Sequence, residues 1–164
     1  MKGVTRINAY RVAGAVEAGY YLDDMNVEII ADGKHLPPEL IKLIIKIKGC
    51  DRVALCTDSL HLAGTKETHG FMQSTEYIIE DGVCKLSDRS AFAGSIATSD
   101  MLVRVITNEV GLSITDAVKM ITKIPANILG INKGSLEKGK DADIIVFDDD
   151  IVIKRVFVMG KETE

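Results

Sequence analysis

Two apolar runs, Val27-Glu28-Ile29-Ile30-Ala31 and Val53-Ala54-Leu55-Cys56-Thr57, flank a stretch of helical periodicity. That order constrains the chain more than any other feature. Pro37-Pro38-Glu39 opens the helix, because proline suits a first turn whose amide hydrogens have no partner. Leu40, Ile41, Ile44, Ile45 and Ile47 give it one apolar face, and Gly49 ends it. Strand, helix and strand in this order make a βαβ unit, which implies a parallel sheet with a right-handed crossover. The second run is nearly continuous in apolar residues, as a strand buried on both faces requires. It ends in Thr57-Asp58-Ser59. The C-terminal end of such a strand is where α/β folds place chemistry, and a carboxylate there can exchange protons with a substrate.

The rest of the chain divides into two styles. Residues 1–22 read as a loop leading into a helix, and residues 59–75 as a polar loop holding His61, Gly64, His69 and Gly70. Asp81-Gly82, between Tyr77–Glu80 and Val83–Leu86, is a hairpin signal. Ser99 or Asp100 caps a helix running to about Val110, and Ser113-Ile114-Thr115-Asp116 resembles a capping box for a second, which Pro125 is expected to break. After Gly130 the pattern is β only: Asp143–Phe147, the acidic turn Asp148-Asp149-Asp150, and Ile151–Met159. A whole (β/α)₈ barrel needs roughly 250 residues. The chain has 164, so a complete barrel does not fit.

Composition excludes several functions. The net charge is −4 with acids and bases interspersed, so there is no basic stripe for nucleic acid. With no Trp, four Tyr and four Phe, base-stacking platforms are not expected either. Cys50, Cys56 and Cys84 lack CxxC spacing, which argues against a zinc site or disulfide scaffold and points to reduced thiols in the cytoplasm. No apolar run approaches a membrane span and no signal core precedes residue 22.

Four motifs carry a resemblance: Asp32-Gly33-Lys34-His35, Thr57-Asp58, Phe92-Ala93-Gly94-Ser95, and Gly139-Lys140-Asp141-Ala142-Asp143-Ile144-Ile145-Val146. In these the chain resembles the amidohydrolase superfamily. More narrowly it is similar to the C-terminal half of the N-acetylglucosamine-6-phosphate deacetylases. The resemblance implies an α/β fold: the C-terminal part of a metal-dependent TIM barrel over residues 1–130, and C-terminal strands of a small β-sandwich over residues 131–164. It implies hydrolytic removal of the acetyl group from N-acetylglucosamine 6-phosphate. A divalent metal, zinc, iron or similar, is expected to lower the pKa of a water and polarise the amide carbonyl. Asp58 matches the acid that takes the proton from that water and delivers it to the leaving amine.

By the same resemblance His35 hydrogen-bonds the substrate near its carbonyl, and Phe92, Ala93 and Gly94 line the sugar pocket. Arg6 contacts the phosphate across a homodimer interface. The family's metal ligands, a Glu and two His, lie upstream, and Met1 matches the end of a short element just after them. No metal ligand is therefore expected in this chain, which reads as a fragment, a truncated product or a degenerate relative. It is expected to pair with a second copy or with the missing N-terminal segment, and to bind no nucleic acid or membrane. Two other readings stay open: a catalytically inactive remnant or interaction module, and another amidohydrolase acting on a cyclic amide or amine.

Several residues also have plainer readings. His61 and His69 read as solvated loop residues rather than a metal pair. Asp148–Asp150 reads as a solvated turn rather than a cation site, Cys56 as core packing, and Arg6 and Arg11 most simply as surface charges.

Overall fold

The computed structural model describes residues 4–7 and 10–163, with side chains from Val12 onward. Val4–Ile7 (β1) and Tyr10–Ala13 (β2) pair antiparallel ahead of helix α1 (Ala15–Tyr21). A loop was expected before this helix. The segment is instead a hairpin, which its turn residues do not announce because they contain no Asn-Gly or Asp-Gly pair.

The βαβ unit forms as read. Val27–Ile29 (β3) and Val53–Leu55 (β4) are parallel, with Val27 opposite Val53 and Ile29 opposite Leu55. The ladder continues one bond further, from Cys56 N–H to the Ile29 carbonyl at 2.9 Å. Helix α2 (Pro38–Lys48) connects them and buries Ile41 and Ile44 on the sheet. Gly49, at φ +73°, reverses the chain while its N–H still bonds the Ile45 carbonyl at 2.7 Å. All three residues of β4 are buried, as a strand covered on both faces should be. Lys48 is also buried, and its ammonium donates to the Leu22 carbonyl at 2.7 Å, so the charge is not left unpartnered.

A three-stranded antiparallel sheet follows: His69–Met72 (β5), Thr75–Glu80 (β6) and Val83–Leu86 (β7). The Asp81-Gly82 hairpin joins β6 to β7, whereas β5 lies in what reads as a polar loop. Helix α3 (Ser99–Arg104) passes into one π-helical stretch, Val105–Val110, which Gly111 ends in the left-handed region. The Oγ of Ser113 accepts the Asp116 N–H at 3.1 Å and starts α4 (Ile114–Ile121). The expected break at Pro125 comes earlier. The chain bends at Thr122, and Pro125 falls in the first turn of α5 (Lys123–Leu129), where its missing N–H costs nothing.

The tail strands Ile144–Phe147 (β8), Ile153–Val158 (β9) and Lys161–Glu162 (β10) make a separate antiparallel sheet. Its connection to the rest is local. Ile151 is 3% exposed at φ +60°, an uncommon conformation for a β-branched residue, and the Arg104 guanidinium donates to its carbonyl at 2.9 Å. The main core gathers β3, β4, α2, the α3–π segment and α4, with Ile41, Ile44, Val53, Leu102, Ile106 and Met120 at 2% exposure or less. No helix among the described residues is long and apolar enough to cross a membrane.

Candidate functional site

Pleat and register place Asp58 and its neighbours. In a strand, alternate residues share a face. Glu28 pairs with Ala54, so the two share one face, which Ile30 and Cys56 extend by one step at the strand ends. The opposite face, with Ile29, Ala31 and Val53, packs into the core. Asp58 stands beyond the C-terminal end of β4, exposed, at φ +49°. Aspartate tolerates this left-handed conformation better than most residues, and non-glycine residues held there cluster at ligand sites.

The segment after β7 turns back onto this strand end. Residues 91–93 pair antiparallel with β7: Phe92 bridges Lys85, and the Ala93 N–H bonds the Cys84 carbonyl at 3.0 Å. Two residues later the same segment pairs in parallel with the Asp58 loop. Ser95 N–H donates to the Asp58 carbonyl at 3.2 Å, and Leu60 N–H to the Ser95 carbonyl at 2.8 Å. Gly94 lies at the crossover. Its φ is +122°, and a Cβ there would stand 3.1 Å from the Leu60 side chain, so both conformation and space call for glycine. Ser95, 1% exposed, closes its own turn by accepting the Ala97 N–H at 2.9 Å. The Ser59 hydroxyl donates to the Ala97 carbonyl.

His35 arrives from the other strand. Beyond β3 the chain makes a tight turn through Gly33 at φ +71°. Asp32 Oδ1 accepts the N–H of Lys34 at 2.9 Å and of His35 at 2.8 Å, and Oδ2 lies 2.7 Å from His35 Nδ1. The imidazole rests against Phe92, with ring centroids 4.9 Å apart and tilted by 54°. Five of the six expected site residues, His35, Asp58, Phe92, Ala93 and Gly94, therefore belong to one hydrogen-bonded and packed assembly. Arg6 is in β1 opposite Arg11; its side chain lies outside the described residues.

Sequence reasoning did not single out Asp32. The available signal was the Asp-Gly-x-His spacing, which suits a side chain that bonds its own backbone two and three residues on. Cys56 shares the inner face. Burial pushes its thiol up; the carboxylates of Glu28 and Asp58 add to this, and the Asp58 backbone N–H opposes it. The thiol is accordingly a poor nucleophile at neutral pH. His69 opens β5 and is exposed, while His61 sits edge-on to the buried Tyr77, centroids 6.2 Å apart. Asp148 accepts the Val152 N–H at 2.9 Å and pairs with Lys154 at 2.7 Å, as a closed turn does.

Among the described residues no three His, Cys, Asp or Glu side chains converge as a metal donor set. These residues do not by themselves fit the divalent metal that the resemblance implies. What the assembly offers is a carboxylate, an imidazole and an aromatic face. Two cavities differ in their relation to this assembly. One of about 460 Å³ has His35, Tyr20, Ile30 and Leu36 in its wall. A second, about 310 Å³ and almost wholly apolar, separates α3 and α4 from the terminal sheet, with Val103, Val118, Ile121 and Phe147 in its wall. Asp58 lines neither, so His35 is the member of the assembly that borders one of these cavities.

A family model described as the Amidohydrolase family matches residues 4–163. An N-acetylgalactosamine-6-phosphate deacetylase of Shewanella sp. (strain ANA-3) is 28% identical over 92% of this chain and 38% of its own length. A putative N-acetylgalactosamine-6-phosphate deacetylase of Escherichia coli (strain K12) is 28% identical over 97% of this chain and 95% of its own length. The crystal structure of N-acetylglucosamine-6-phosphate deacetylase from Pasteurella multocida superposes with a TM-score of 0.88 at 28% identity, over 98% of this chain and 42% of that one. The chain thus spans about two-fifths of the Shewanella and Pasteurella proteins. The expected α/β fold class, part of a TIM barrel with strands of a small β domain, stands.

Proposed function

Since the chain belongs to the amidohydrolase family, we propose that it supplies the proton-carrying, sugar-facing part of a deacetylase acting on N-acetylglucosamine 6-phosphate. The supporting observation is the segment 91–97. It holds the Asp58 loop through backbone bonds and sets Phe92 against His35, so acid, imidazole and aromatic face form one unit. Water adds to the acetyl carbon, the C–N bond breaks, and acetate and the free amino-sugar phosphate leave. Asp58 accepts the water proton and returns it to the amine nitrogen, which would otherwise depart as a poor leaving group. His35 hydrogen-bonds the acetamido group. Phe92, Ala93 and Gly94 line the sugar, and Arg6 takes the phosphate, for which a guanidinium fork is well shaped. Residues 1–130 form the barrel portion and residues 131–164 the sandwich strands.

Sugar binding tests this without requiring turnover. Addition of N-acetylglucosamine 6-phosphate or its galacto epimer should shift the backbone amide signals of His35, Phe92, Ala93, Gly94 and Ser95. A spectrum that neither sugar alters ends the proposal. Assays of acetate against ammonia, with zinc or iron supplied, separate a deacetylase from a deaminase or cyclic-amide hydrolase.

A further inference from the structure

We propose that Asp32 is the positioning residue of the site: it fixes His35 in the Nδ1–H tautomer and leaves Nε2 as the nitrogen that meets the substrate. The proposal rests on the reading of His35 as a substrate contact and adds to it the residue that sets its chemistry.

Three contacts converge on one carboxylate that is 8% exposed. Oδ1 accepts two backbone N–H groups, of Lys34 and His35, and so holds the turn that carries the imidazole. Oδ2 faces His35 Nδ1 at 2.7 Å. An ionised carboxylate has lone pairs and no proton, so the bond at Oδ2 exists only if Nδ1 carries the hydrogen. In the neutral ring the other nitrogen is then bare. Among the described residues Nε2 makes no hydrogen bond, whereas Phe92 covers a ring face. One side chain therefore sets both the direction of the ring and the nitrogen available to a ligand. A second group orienting an imidazole in this way is a general arrangement where histidine acts in chemistry or binds a metal.

Gly33 belongs to the same device. At φ +71° it lets the chain double back so that Oδ1 reaches the amides two and three residues on. A Cβ at Gly33 would lie 3.5 Å from Glu109 Oε2, so the conformation rather than a clash requires glycine here.

The test is the nitrogen NMR signature of the His35 side chain, followed across its titration and assigned by its loss in His35→Asn. Wild-type protein should show the Nδ1–H tautomer in the neutral ring. In Asp32→Asn the amide oxygen can still accept both backbone hydrogens, but its NH₂ now faces Nδ1. The ring should invert to Nε2–H, and the two nitrogens should exchange their shift positions. A residue with only a structural role would not produce that inversion. A neutral wild-type ring in the Nε2–H form overturns the proposal without any variant, and so does an Asp32→Asn ring unchanged from wild type. Adding N-acetylglucosamine 6-phosphate separates the two claims. An Nδ1–H ring whose Nε2 signal ignores the sugar upholds the positioning role and removes the substrate contact.

Discussion

Strand β4 and the terminal strands β8 and β9 are made of the same residue types, yet they live in different surroundings. Val53, Ala54 and Leu55 are at most 5% exposed, enclosed between α2 and α4. Ile145, Val146 and Val158, equally suited to strands, are 54%, 42% and 50% exposed. The first region is a core, and the candidate site stands at the C-terminal ends of its strands. The second is a thin sheet that meets the core through Ile151 and Phe147. Hydrophobicity of a strand thus reports what it can bury, and the connections around it decide what it does bury.

The comparison is broken most forcefully at the chemical edge. Asp58→Asn keeps a residue at ease in the left-handed region and removes the proton acceptor. Acetate release should fall about 100- to 10,000-fold, with an unchanged melting curve. The assay requires the chain joined with the segment that supplies the metal ligands; if activity there survives the substitution, the acid role is lost. Inside the core, Ile41→Ala or Ile106→Ala should cost about 2–5 kcal/mol in denaturant titration, because the packed surroundings cannot close over the void. A cost under about 1 kcal/mol would mean this region packs no better than the tail. Gly94→Ala, at the join between the hairpin sheet and the Asp58 loop, should cost on the order of 1–3 kcal/mol through its backbone conformation. It should also weaken sugar binding, and normal affinity would uncouple the two. Ser113→Ala removes the cap of α4 at about 1 kcal/mol. Ile145→Ala, on the exposed sheet, should stay within about 0.5 kcal/mol; a larger loss would show that this surface is covered in solution.

The β3–α2–β4 unit was legible because three independent signals agreed: two apolar runs of strand length, Pro38 in a first turn, and Gly49 as terminator. Asp81-Gly82 and Ser113 were readable for the same reason, since each is a local device that works within four residues. Elements that depend on distant partners were not. Strand β5 has the short sequence His69-Gly70-Phe71-Met72, which shows no apolar–polar alternation, and only pairing with β6 makes it a strand. The π stretch Val105–Val110 shares its apolar spacing with an ordinary helix, so periodicity alone does not reveal it. In the site, Asp58 could be read from its place at a strand end. Asp32 was not singled out, because the Asp-Gly-x-His spacing signals a local turn and does not show that its second oxygen faces the imidazole once Gly33 has turned the chain.

Segment 91–97 is held from two sides, by an antiparallel bridge to β7 and by a parallel bridge to the Asp58 loop. The hairpin arm is thereby geared to the acid. A tilt of β5–β7 cannot occur without dragging the main chain on which that carboxyl is mounted. Reshaping the outer strands β5 and β6 is thus a way to shift the Asp58 backbone without substituting any residue of the candidate site.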